Sequence, residues 1–138
     1  MLTRKFPQGC KNTQDASIVA GTVLIIDDDE STSEAIGDML SHAGFAPRIA
    51  ATRDEALVIL QTACFDAVTM DLRMPGMSAE HFISEVRLSY PSLPLVMISA
   101  NANVREIART LGVKYYLHKP FRCVELLEIL RLLHVSER

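Results

Sequence analysis

Five short strand-like runs, four of them ending in a polar or charged residue and each followed by a helical stripe, constrain this chain more than any other feature. Thr22-Val23-Leu24-Ile25-Ile26 is rich in β-branched residues and runs straight into Asp27-Asp28-Asp29-Glu30. Ala35, Ile36, Met39, Leu40 and Ala43 then recur at the spacing of an amphipathic helix, with Asp29 or Ser31 placed to cap its start and Gly44 to end it. Phe45 to Ala50 predicts a second strand, and Asp54 to Ala63 a helix with Ala56, Leu57, Leu60 and Ala63 inward. Val68-Thr69-Met70-Asp71 is a third strand; Pro75-Gly76 forces a turn before a helix from Ser78 to Leu88. After the loop Tyr90 to Pro94, Leu95-Val96-Met97-Ile98 is a continuously apolar strand ending at Ser99, and Val104, Ile107, Ala108 and Leu111 stripe a short helix closed by Gly112. Lys114 to His118 is the fifth strand, Lys119-Pro120-Phe121 breaks it, and Arg122 to about His134 is the last helix. Strict alternation of this kind predicts an α/β protein, a doubly wound five-stranded parallel sheet covered by helices on both faces.

In such sheets ligands sit in the crevice outside the carboxyl ends of the strands. That rim would carry Asp27 and Asp28, Asp71, Ser99 and Lys119. Each also has a local reading: Asp71 as a turn residue capping the next helix, Asp27 or Asp29 as a cap for the first helix, Lys119 as a solvated strand end. With 138 residues, 49% of them hydrophobic, the chain suits one domain over residues 22–138, while residues 1–21 mix charge, Pro7 and Gly9 without period and read as a disordered or loosely docked arm. A net charge of -3 provides no footprint for nucleic acid, so direct binding to it is not expected. Cys10, Cys64 and Cys123 are widely spaced and odd in number, which predicts buried or idle thiols and neither a disulfide framework nor a zinc site. No apolar run approaches the ~18 residues of a membrane span and no signal-peptide core is visible, so no membrane association and a cytoplasmic location are expected.

Taken in register, Ile26-Asp27-Asp28, Asp71-Leu72-Arg73-Met74-Pro75-Gly76, Ser99-Ala100 and Lys119-Pro120-Phe121 closely resemble the receiver domain of two-component response regulators, over residues of about 22–134. The resemblance implies a flavodoxin-like topology and a phosphoryl group accepted on Asp71 from a sensor histidine kinase or phosphotransfer protein, with the domain catalysing its own transfer and later dephosphorylation. It implies Mg²⁺ (or Mn²⁺) ligated by Asp28, Asp71 and the Arg73 backbone carbonyl, with Asp27 acting through water. Three clustered carboxylates fit that role, since like charges ~4 Å apart cost about 4 kcal/mol at an effective dielectric near 20 unless a proton or cation intervenes. Lys119 and Ser99 would serve the phosphoryl oxygens, and Ser99 and Tyr116 the switch; the other reading of Tyr116 is a buried core tyrosine. Receivers usually hold the Lys-Pro bond cis, and the same is expected of Lys119-Pro120.

Two other readings compete. Asp27-Asp28-Asp29-Glu30-Ser31 fits the outline of haloacid-dehalogenase-like phosphatases, with Asp27 as nucleophile and Asp29 as general acid. A pseudo-receiver with a vestigial site is the second. In the last helix Cys123, Leu126, Leu127, Leu130 and Leu133 already form a sufficient inward stripe, yet Val124, Ile129, Leu132 and Val135 are apolar too. That excess predicts either a docking or homodimer surface made by the fourth helix, fifth strand and fifth helix, or a broad, deeply packed helix. The segment from Ser99 to Lys119 is about two residues shorter than receivers usually carry, which trims the fourth helix or its loop. A chain ending one helix after Lys119 reads as a stand-alone regulator or as a receiver cut from a longer protein.

Overall fold

The computed structural model describes residues 20–136, with backbone alone for 134–136. The arm expected over residues 1–21 lies outside them except for Ala20, whose N–H donates to Gly44 O at 2.8 Å, and Gly21, which opens the first strand. In chain order the elements are β1 (Gly21–Ile26), α1 (Glu30–His42), β2 (Phe45–Ala50), α2 (Arg53–Leu60), β3 (Ala67–Asp71), α3 (Ala79–Ser89), β4 (Leu95–Ser99), α4 (Val104–Leu111), β5 (Tyr115–His118) and α5 (Cys123–Ser136). The strands form one parallel sheet in the order β2-β1-β3-β4-β5. The doubly wound arrangement is therefore the observed one.

Alternation along each strand decides which helices cover which face. Leu24, Ile26, Val68, Met70, Leu95 and Met97 pack with Leu60, Phe82, Val86 and Ala108, so α2, α3 and α4 lie on one side. Val23, Ile25, Val96, Ile98 and Leu117 pack with Ile36, Leu40, Leu126, Leu130 and Leu133, placing α1 and α5 on the other. Helix starts follow side-chain capping: the Asp29 carboxylate accepts from Thr32 N–H, Thr52 Oγ1 from Glu55 N–H at 3.0 Å and Ser78 Oγ from His81 N–H at 3.0 Å. Gly112 ends α4 at φ 74°, a left-handed conformation that side chains disfavour.

Three expectations are corrected. The second helix runs Arg53–Leu60 and stops short of Ala63, because Gln61 and Thr62 turn back to Val58 O and Ile59 O in tight i→i−3 bonds, one of them reinforced by Thr62 Oγ1 on Ile59 O at 2.7 Å. Ala63 still packs against the core from the loop. Cys123 is an exposed free thiol rather than part of the inward stripe of α5. Cys64 is disulfide-bonded, so the three cysteines are not all idle; spacing in sequence does not reveal which thiols approach. The apolar excess of α5 divides: Ile129 packs partly against the core, whereas Val124 is 44% and Leu132 56% exposed.

Leu126 is wholly buried between α5 and the sheet, so Leu126→Ala should lower unfolding free energy by about 2–5 kcal/mol in urea titrations with an unchanged slope. Val124→Ala, on the exposed side of the same helix, should change it by about 0.5 kcal/mol or less.

Candidate functional site

Register brings the acidic strand ends level. Ile26 pairs with Met70, so the residues that follow, Asp27 and Asp71, stand side by side on neighbouring strands. The ladder holds each in place beyond its last regular pair: Asp27 N–H donates to Ala50 O at 3.1 Å, and Leu72 N–H to Ile98 O at 3.0 Å. On the far side Ser99 pairs with His118, and Lys119 N–H donates to Ser99 O at 2.8 Å. The Lys119–Pro120 bond is cis, as expected. From this anchor the Lys119 ammonium lies 3.5 Å from Asp27 Oδ2 and 3.6 Å from Asp71 Oδ1. Those separations are long for hydrogen bonds, and the contacts are mainly electrostatic.

Asp27, 4% exposed, receives Asp29 N–H on its other oxygen at 2.9 Å. Asp28 is exposed at the lip. Asp27, Asp28 and Asp71 each present a carboxylate oxygen within 4.8 Å of the others. Burial raises the Asp71 carboxyl above its ordinary value and the Asp27 charge adds to this, while Lys119 and the Arg73 backbone N–H pull it down. One ammonium against three carboxylates leaves the cluster short of positive charge. Hard oxygen donors so close together fit a small divalent cation such as Mg²⁺.

The remaining residues singled out from sequence fall around this centre. Ser99 is buried at the end of β4, its Oγ accepting Asn101 N–H at 3.0 Å. Arg73 is exposed in the loop between β3 and α3. Tyr116 on β5 is 36% exposed, which removes the reading of a buried core tyrosine. Asp29 serves α1: its carboxylate accepts from Thr32 N–H at 3.0 Å, from Thr32 Oγ1 and from Ser31 Oγ at 3.2 Å, and these bonds, led by the Thr32 hydroxyl, lower its pKa. The phosphatase alternative thereby loses its general acid to a helix cap. One residue beside the site went unread, the buried Arg53, whose guanidinium donates to the Asp71 backbone carbonyl at 3.0 Å. No sequence signal marks it, since an arginine in the first turn of a helix reads as solvated.

Residues 23–131 match the family model described as the response regulator receiver domain. Over 113 residues the chain is 31% identical to the response regulator protein FleR of Pseudomonas aeruginosa, covering 80% of this chain and 24% of that protein. It is 32% identical over 113 residues to the response regulator MprA of Mycolicibacterium vanbaalenii, covering 80% of this chain and 49% of that one. The chain thus spans between a quarter and a half of these relatives. Among solved structures, the chemotaxis protein CheY4 of Vibrio cholerae superposes with a TM-score of 0.73 at 30% identity, covering 81% of this chain and 97% of that one.

The raised Asp71 carboxyl has a thermodynamic consequence. Below its ordinary value of 3.8 the group is neutral in both folded and unfolded chains; as pH rises through the higher folded value, ionisation costs the fold more than the unfolded chain, and stability is lost. Metal-free Asp71→Asn should therefore be the more stable protein at neutral pH, with the difference shrinking as pH falls toward the ordinary carboxyl value. Calorimetric melts across that range, with and without Mg²⁺, check this: added Mg²⁺ should raise the melting temperature of the wild type and close the gap.

Proposed function

Since this chain belongs to the response regulator receiver domain family, the signalling receivers of two-component systems, we propose that it takes its phosphoryl group on Asp71 from a phosphohistidine donor, a sensor histidine kinase or phosphotransfer protein. The observation that carries this reading is the Asp71 carboxylate at 3.6 Å from the Lys119 ammonium, within 4.8 Å of two further carboxylates. An Asp71 carboxylate oxygen attacks phosphorus in line with the departing imidazole nitrogen; the O–P bond forms as the N–P bond breaks, leaving an acyl phosphate and a neutral histidine. Water later cleaves the acyl phosphate, releasing inorganic phosphate and returning the carboxylate.

In this reading Asp28, Asp71 and the Arg73 backbone carbonyl hold Mg²⁺ (or Mn²⁺), with Asp27 acting through water. The ion, when bound, supplies the positive charge that the phosphoryl oxygens need in transfer. Lys119 supplies the rest from the opposite side, and Ser99 turns its hydroxyl from Asn101 to a phosphoryl oxygen. Movement of Ser99 frees space for Tyr116, which lies on β5 with its ring partly exposed. The face of α4, β5 and α5 then changes shape, a local event biasing a two-state surface. Exposed Val124 and Leu132 support docking of a partner or second copy there. Residues 22–138 form the receiver unit in this reading.

Intact mass after acetyl phosphate and Mg²⁺ should show one phosphoryl adduct, absent from Asp71→Asn; an adduct surviving in that variant overturns the assignment. Light scattering with beryllofluoride and Mg²⁺ should reveal a heavier species than the untreated protein, and Val124→Glu should reduce it. An unchanged mass on beryllofluoride addition removes self-association from the reading and leaves a separate partner.

A further inference from the structure

Among the described residues Arg53 is the bulkiest of the fully buried side chains, and it is charged. It opens α2 and is 2% exposed, yet no ion pair among the described residues includes it. Its partners are main-chain carbonyls. Nη1 donates to Met77 O at 2.6 Å, and Nη2 to Asp71 O at 3.0 Å and Leu72 O at 2.9 Å, while Nε is buried without a partner. A buried cation that donates only to carbonyls and keeps an orphaned N–H, with the Asp71 charge offsetting only part of its desolvation, is a poor way to stabilise a core, and an apolar side chain of similar volume would fill the space at lower cost. What the guanidinium adds is a rigid planar fork that holds three carbonyls at once.

Those carbonyls bracket one loop. Asp71 and Leu72 are its entry, and Met77 precedes Ser78, the cap of α3. Within it Leu72, Met74 and Met77 pack partly against the core, while Arg73, Pro75 and Gly76 are exposed and a Cβ on Gly76 would meet nothing within 4 Å, so the outer side of the loop is open. We infer that Arg53 is a positioning residue for the Asp71 site: it clamps both ends of the loop and so sets where the Asp71 carboxylate and the Arg73 carbonyl stand. This rests on the receiver reading of the site given above. Arg53 works through the main chain and touches no reacting atom.

The test uses the full chain and three variants: Arg53→Met, similar in length without donors; Arg53→Lys, charged without the fork; and Leu126→Ala, a destabilised control on the opposite face of the sheet. Mg²⁺ titration calorimetry, the rate of adduct formation from acetyl phosphate at saturating Mg²⁺, and amide exchange of residues 72–77 without metal are measured on each. Arg53→Met should weaken Mg²⁺ binding about 10–100-fold, slow adduct formation and speed exchange at 72–77, with Arg53→Lys between it and wild type. Leu126→Ala should leave Mg²⁺ affinity and loop exchange unchanged. Wild-type affinity and exchange in Arg53→Met, or equal changes in Leu126→Ala, overturn the proposal. If Arg53→Met does not fold, wild-type values in Arg53→Lys overturn it instead. A wild-type protein that neither binds Mg²⁺ nor takes the adduct defeats the receiver reading, while loop exchange in the variants still judges the clamp.

Discussion

The ammonium of Lys119 stands against Asp27 and Asp71 at once, and this contact ties three strands together at the rim of the sheet. Two carboxylates on adjacent strand ends, one almost wholly buried, repel each other more strongly than they would in water. A single cation reaching both offsets part of that repulsion only if β1, β3 and β5 end at matching heights. They do so because the ladder continues past each strand: Asp27 to β2, Leu72 to β4, Lys119 back to Ser99. The charge deficit that remains, with Asp28 at the lip, suits a divalent cation.

Apolar packing supplies the rigidity on which that arrangement stands. Each strand contributes side chains alternately to two cores, one under α2, α3 and α4 and one under α1 and α5. A parallel sheet covered in this way leaves its strand ends as the main place where polar groups are tolerated. Of the five buried polar or charged residues among those described, Asp27 and Ser99 lie at or beyond a strand's carboxyl end, Thr69 lies within β3, and Ser33 and Arg53 lie on helices. The loops leaving β1, β2 and β3 end in side-chain caps at Asp29, Thr52 and Ser78, which fix where the following helices begin.

Asp71 is braced from two sides by cations of different kinds. Lys119 faces its carboxylate across an ion contact, whereas Arg53 donates to its main-chain carbonyl and feels the carboxylate only through its charge, with no ion pair among the described residues. Lysine suits the first position because a point charge on a flexible stem can stand between two carboxylates at once. Arginine suits the second because a planar fork fixes carbonyls relative to one another. The same division appears at Arg87, whose guanidinium donates to Gly112 O at 2.6 Å and ties α3 to the end of α4.

The sequence by itself determined the alternation of strands and helices, the doubly wound sheet and the identity of the rim residues, because apolar periodicity and strand-end polarity are local properties written in consecutive residues. Ile26-Asp27-Asp28, the Asp71 turn and Lys119-Pro120 were legible for that reason, and the β2 limits at Phe45 and Ala50 agree with the pattern. Helix ends were less so, as at Leu60, where tight bonds to Val58 and Ile59 close the helix before its apolar stripe runs out. Only the tertiary structure decided that Asp29 serves the helix rather than the cluster, that Tyr116 is partly exposed, and that α5 buries Leu126, Leu130 and Leu133 while presenting Val124 and Leu132. Arg53 was the residue furthest from view: its burial depends on three carbonyls 18 to 24 positions away, a partnership that no local pattern encodes.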